Sequence, residues 1–185
     1  MKDLIGTDRR PLQYYKPYGF WGSIKKSAQM HVYNGFIQSI RYFIIKTFDY
    51  LLSLIAYFSP YNGIRLFCHR KRGVKIGKRV LIGFHCVLDE IFPDFITIED
   101  DVSLAGKVYI LTHSNPYEFF KETLPSYVAP VIIKKNAWIT INVTILPGIT
   151  IGEGSIITAG SVVTKNVPSN VIAGGNPAKV IKKIT

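Results

Sequence analysis

The sequence predicts a mainly β protein, a three-sided parallel β-helix, with a helical segment at its N-terminal end. Three observations carry this. Large aliphatic residues recur every six positions from about Val74 to Val167. A small or β-branched residue usually follows each of them four positions later. Residues 1–72 are aromatic and basic and show no short repeat.

The repeat comes first. Ile133, Ile139, Ile145, Ile151, Ile157 and Val163 stand six apart in an unbroken run. Upstream, Ile76, Ile82 and Leu88 keep the spacing; the stretch "EIFPD" shifts the phase, which resumes at Ile98, Leu104 and Ile110. A helix would scatter six-spaced residues around its axis. A β-sandwich would need turn signals every ~8–12 residues instead. Short flat sides that each end in a turn satisfy the pattern if three of them close one coil. Each large aliphatic then points inward and stacks on its counterpart one coil later. Coils about 4.8 Å apart pair their backbone groups with the coils above and below. Val80, Cys86, Val102, Ala137, Val143 and Ser155 are among the accompanying small positions, and glycines trail many of the aliphatics, as in "IGKRV", "IGEGS" and "ITAGS".

The repeat is interrupted at length once, between Ile110 and Val131. "LTHSNP" ends the regular part, and a loop over 114–131 rich in Tyr, Phe and Pro follows. A long loop inside a solenoid is usually functional. His113 stands at its mouth, and imidazole titrates near neutral pH.

Residues 37–58, "IQSIRYFIIKTFDYLLSLIAYF", read as an amphipathic helix. Gln38, Ser39, Tyr42, Lys46, Asp49, Ser53 and Tyr57 share one face, and Ile40, Phe43, Ile44, Phe48, Leu51, Leu54, Ile55 and Phe58 the other. Arg41, Lys46 and Asp49 oppose a membrane span, each costing about 2.5–3.5 kcal/mol near its centre. The preferred reading packs the apolar face on the open end of the β-helix or on a neighbouring subunit. The competing one lays it in a membrane surface, aided by Tyr14, Tyr15, Trp21 and flanking basic residues.

The chain has 185 residues, a 48% apolar composition and a formal net charge of +11. It is long enough for one core with a modest appendage. The charge favours anionic partners: nucleic acid, acidic lipid or a phosphorylated small molecule. No RNA-binding signature accompanies the lysines, so nucleic acid is not expected. Two cysteines, Cys68 and Cys86, make neither a disulfide framework nor a zinc set. A reduced, cytoplasmic setting follows, with the inner face of the membrane as the peripheral alternative. Cys86 falls on an inward position and is expected to be core.

The run from "IIKKNAWITINVTILPGITIG" to "AGSVVTKNVPSN" and "AGGNPAKVI" resembles the hexapeptide-repeat acyltransferases, and most of all their sugar and polysaccharide O-acetyltransferases. The resemblance covers roughly residues 70–183. It implies a left-handed β-helix over 73–185, with 1–72 as a separate N-terminal segment. It implies a homotrimer in which acetyl-CoA lies in a groove between subunits, and a general base at His113. Trp138 would lie near the pantetheine arm, and Ala159, Gly160 and Ser161 would offer backbone groups where the chain is thin. Thr164, Lys165, Lys179 and Lys182 would lie towards the nucleotide, lysine acting on phosphate as a point charge.

Two departures from the family pattern stand out. "WIT" replaces "WIG", so Thr140 stands beside the donor groove, where it either narrows the groove or donates a hydrogen bond. Gly83-Phe84-His85 lacks an asparagine that contacts acceptor hydroxyls in some members. Asp89 matches an acidic position near the acceptor pocket. Asp89, Asn115 and His85 are therefore the expected acceptor-binding residues. The expected reaction moves an acetyl group from acetyl-CoA to a hydroxyl of a sugar or polysaccharide precursor, directly and without a covalent enzyme intermediate. The alternatives are N-acetylation of an amino sugar and a non-catalytic binding module on the same solenoid. A zinc hydratase of this fold would need closely paired histidines, and His31, His69, His85 and His113 include no such pair. No metal is expected.

Overall fold

The computed structural model describes residues 9–16, 19–30 and 35–184. From Lys75 onward the chain winds through three parallel faces. The first holds Lys75–Ile76, Ile96–Ile98, Val131–Ile133 and Thr150–Ile151. The second holds Leu81–Ile82, Ser103–Leu104, Trp138–Ile139, Ile156–Ile157 and Val171–Gly175, closed by the antiparallel strand Ala178–Lys183. The third holds Val87–Leu88, Tyr109–Ile110, Thr144–Ile145 and Val162–Val163. Ile133 pairs with Ile151, Ile139 with Ile157 and Ile145 with Val163, so one coil is eighteen residues. This is a three-sided parallel β-helix.

The interruptions read directly from the register. Ile76 pairs with Ile98, Ile82 with Leu104 and Leu88 with Ile110, a spacing of 22 that absorbs the "EIFPD" insertion. Ile98 pairs with Ile133 and Ile110 with Ile145, a spacing of 35 that holds the long loop. The six-spaced aliphatics and their small companions form one buried cluster running the length of the coil. Turn chemistry fits: Asn136 and Asn142 sit at φ 60° and 58°, a region asparagine enters more readily than most residues. At Gly83 and Gly152 an added Cβ would fall on the backbone of the next coil, so glycine permits the close stacking.

Among the described residues three helices precede the coil: α1 (Phe20–Met30), α2 (Phe36–Phe58) and α3 (Asn62–Lys71). The expectation for α2 is corrected in one respect. Its polar face turns inward: Ser39 and Tyr42 are buried, and Lys46 contacts Asp49 and donates to the Ile91 carbonyl. Its apolar face points outward, with Ile37, Ile44, Phe48, Ile55 and Phe58 between 51% and 80% exposed. It therefore does not cap the coil of its own chain. Among the described residues no helix is long and apolar enough to cross a membrane.

The cap is α3. An end coil exposes backbone groups with no neighbouring strand, and polar side chains of α3 pair with them. Asn62 donates to the Val80 carbonyl and accepts from Ile82 N–H, both at 3.0 Å. Arg65, buried, donates to the Ile82 carbonyl at 2.6 Å and to that of Ser59 at 2.7 Å. Arg70 reaches the carbonyls of Ile76 and Gly77. Leu66 packs against the coil interior, while Cys68 meets Leu52 and Ala56 of α2.

Candidate active site

The coil turns the same corner after each third-face strand, and two successive turns bring Asp89 and His113 together. Asp89 follows Leu88, and its N–H donates to the Ile110 carbonyl of the next coil. Asp89 is buried, at 2% exposure. Its Oδ1 accepts from the N–H groups of Ile91 and Phe92, and its Oδ2 from that of Thr112. Oδ2 also lies 2.7 Å from His113 Nδ1. The "EIFPD" insertion thus supplies two of the donors that fix the carboxylate.

Burial works against ionising Asp89. The hydrogen bond and charge of His113, with the N–H groups of Phe92 and Thr112, outweigh it and hold the carboxyl well below the usual range. An ionised Asp89 accepts Nδ1–H and leaves Nε2 of His113 as the acceptor nitrogen. The His113 side chain keeps 22% exposure, so this nitrogen can be reached. The Phe92 ring stands edge-on to the imidazole at 5.6 Å. From below, buried Arg72 donates to the Asp89 carbonyl at 2.9 Å and to His69 Nδ1 at 3.2 Å.

The loop is more ordered than its composition suggests. His113–Ser114 pairs antiparallel with Tyr127–Val128, which pairs in turn with Arg10–Pro11. An N-terminal strap over residues 9–16 thereby crosses the loop. Arg9 lies 3.7 Å over the Tyr127 ring, Tyr14 O–H reaches the carbonyls of Lys121 and Leu124, and Tyr15 packs edge-on against Tyr117. Tyr14 and Tyr15 thus contact the loop. Sequence reasoning did not find the strap, because a two-residue strand leaves no periodic signal. It also did not find Arg72, which reaches the site through the Asp89 carbonyl, or His69, whose ring contacts Arg72.

Several expectations change here. Asp89 does not face an acceptor: all its described contacts hold His113 and the corner, which makes it a positioning residue. His85 lies at a different corner, between the second and third faces, where it stacks on Tyr57 of α2 at 4.9 Å. It does not join His113. Asn115 stays close, its Oδ1 accepting from Ser126 Oγ at 3.0 Å and so tying the two limbs of the loop. Cys86 is core: its thiol donates to the Ala105 carbonyl at 3.0 Å, and burial pushes its pKa up. His31 and the side chain of Trp21 lie outside the described residues. Among the described residues no three His, Cys, Asp or Glu side chains are placed to hold a metal ion.

Several of the residues expected to hold the donor lie along or beside the second face. Trp138 pairs with Ile156, Ile156 with Ile172 and Ile172 with Lys182, which forms a single row across the second face. Trp138 at one end is 49% exposed, and Lys182 at the other is exposed with Lys179 nearby on the same strand. Ala159 and Gly160 form an exposed corner beside this face; Gly160 sits at φ 71° with open space where a Cβ would be. Thr164 and Lys165 follow the neighbouring third face, Lys165 exposed. Thr140 spends its hydroxyl on the Ile157 carbonyl, at 2.7 Å, so its hydrogen bond serves the coil. Ser161 is fully buried, its carbonyl accepts from Thr144 N–H, and its hydroxyl contacts Thr158 and Gly175.

The comparisons agree with this geometry. The family model for the bacterial transferase hexapeptide, six repeats, matches residues 130–165. Protein CapG of Staphylococcus aureus is 44% identical over 120 residues, covering 62% of this chain and 69% of its own length. A galactoside O-acetyltransferase of Escherichia coli strain K12 is 36% identical over 112 residues, 60% of this chain and 54% of its own. A crystal structure of a maltose O-acetyltransferase from Clostridium difficile 630 superposes with a TM-score of 0.61 at 30% identity, covering 77% of this chain and 88% of that one. The chain belongs to the hexapeptide-repeat acyltransferase family. It spans about half the length of several curated relatives it matches, 46% to 54%.

Proposed function

We propose that this protein is an acetyl-CoA-dependent O-acetyltransferase acting on a hydroxyl of a sugar or glycan, with a left-handed coil and a homotrimeric assembly. The observation that carries the reading is the 2.7 Å contact between His113 Nδ1 and buried Asp89, at the mouth of the long loop. Relatives described as galactoside and maltose O-acetyltransferases support the acceptor class.

The chain's own residues suit both halves of the reaction. Acetyl-CoA, bound at the second face, supplies a thioester carbonyl as acyl donor. Exposed Trp138, then Ile156 and Ile172, offer an apolar strip for its arm, and Lys179 and Lys182 offer cations for its phosphates. Ala159 and Gly160 leave the rim thin, and Thr164 and Lys165 flank it. Nε2 of His113 accepts the proton of the acceptor hydroxyl as attack begins, a contribution of about 10²–10⁴-fold. Asp89 fixes the tautomer and stabilises the imidazolium. The same nitrogen then holds that proton for the departing thiolate. Asn115, two residues along, is the acceptor contact this placement favours.

The test is CoA release by the full chain over a panel of sugars, amino sugars and nucleotide sugars, with product mapping. Acceptor-dependent release with an O-acetyl product is expected. Product carrying only N-acetyl groups would replace the reading with amino-sugar acetylation. Acetyl-CoA binding without transfer to any acceptor would replace it with a binding module.

A further inference from the structure

The outward face of α2 is not explained by the acyl-transfer reading. Ile37, Ile44, Phe48, Leu51, Ile55 and Phe58 fall at helical spacing along one stripe, each at least half exposed. On α3, Ile64 and Phe67 are 42% and 57% exposed. Contiguous exposed apolar surface of this kind marks an interaction site.

Charge identifies the partner. Fourteen of the 23 Lys and Arg residues lie within residues 9–88, and Asp49 is the one acid in that stretch. Asp49 faces inward, against Lys46. Nine of the 12 acids lie from Asp89 onward, so the excess positive charge of the chain lies before that residue, with Lys25, Lys26, Arg41, Lys46, Arg70 and Lys71 on the helices. Cations border the apolar stripe: Arg41 stands exposed on α2, Lys25 lines the groove with Phe36 and Ile40, and Lys71 Nζ lies 5.7 Å over exposed Phe67. A second copy placed on this face would bring cation against cation, whereas anionic headgroups complement it. The helix is not apolar enough to span.

We propose that α2 lies flat on a bilayer surface containing anionic lipid, with the Ile37–Phe58 stripe in the acyl boundary and Lys25, Arg41 and Lys71 at the headgroups. The inference stands independently of the acetyl-transfer reading.

The experiment is co-sedimentation of the full chain with vesicles of phosphatidylcholine alone and of phosphatidylcholine with phosphatidylglycerol, alongside size-exclusion light scattering. Binding to the anionic vesicles should be about tenfold tighter or more, and should weaken with salt. Ile44→Glu with Phe48→Glu should lower it at least about tenfold, with thermal unfolding and oligomeric state unchanged. Arg41→Glu should lower binding to anionic vesicles only. The proposal fails if the wild-type chain stays in the supernatant with anionic vesicles, or if the double variant sediments like wild type. It also fails if the double variant changes the oligomeric state, since the face would then belong to a second copy.

Discussion

The coil and the helical layer bury their apolar residues in opposite senses. In the coil every six-spaced aliphatic from Ile82 to Val163 is at most 1% exposed, and small companions such as Val102, Ala137 and Val143 are buried beside them. In α2 most large aliphatics face outward, and Ser39, Tyr42, Lys46 and Asp49 face in, with Leu52 and Ala56 packed on Cys68. Burial in the coil is a property of the repeat, since each side can only fill a prism that its neighbours define. Burial of α2 is decided by what it meets, here the other helices and the Ile91 carbonyl of the insertion. A periodic pattern states which residues share a face; it does not state which face is covered.

The comparison can be broken by matched truncations. Ile145→Ala, in the middle of the coil, should destabilise by about 2–5 kcal/mol, read as a lower urea midpoint. An effect below about 1 kcal/mol would mean that the coil interior is loosely filled. Arg65→Ala should orphan the Ile82 and Ser59 carbonyls at the capped edge, at about 1–3 kcal/mol for each buried group left unpaired. Midpoint shifts for Asn62→Ala should have the same sign.

The pH dependence separates the regions further. Burial, then the charges of Arg72 and Arg65, push the His69 pKa down to about 3. The unfolded chain gains this proton near pH 6.5 and the folded chain does not, so stability should fall as pH drops below that value. The slope is about 1.4 kcal/mol per unit until the folded pKa is reached. Asp89, whose folded pKa is lowered, adds its loss only below its ordinary value near 3.8. Unfolding followed between pH 7.5 and 5 should show the slope in wild type and lose it in His69→Gln. The smallest effect is expected at the outer face of α2, where Phe48→Ala should change stability by about 0.5 kcal/mol or less.

Much of this was legible in the sequence. Six-spaced isoleucines give the coil, its interior and the position of the loop, because a closed repeat leaves few alternatives. The corner that holds His113 was legible from the place where the repeat breaks. The helix of α2 was legible, but the direction of its faces was not, since nothing local says that Asn62 and Arg65 take the capping role. Asp89 was found by residue type and given the wrong neighbour. Its contact with His113 depends on a coil of 22 residues that stacks the two corners, and a one-dimensional pattern does not show which corners coincide. His85 was misplaced for the same reason. Ser161 occupies an inward position of the six-residue register, which outweighs its polarity.

The central claim is that an Asp89-held His113 takes a proton from the acceptor. Its most direct test is acceptor-dependent CoA release at saturating acetyl-CoA by His113→Ala, with acetyl-CoA binding measured on the same preparation. The account predicts a loss of about 10²–10⁴-fold in kcat with donor affinity retained. A variant that keeps the wild-type rate would contradict it.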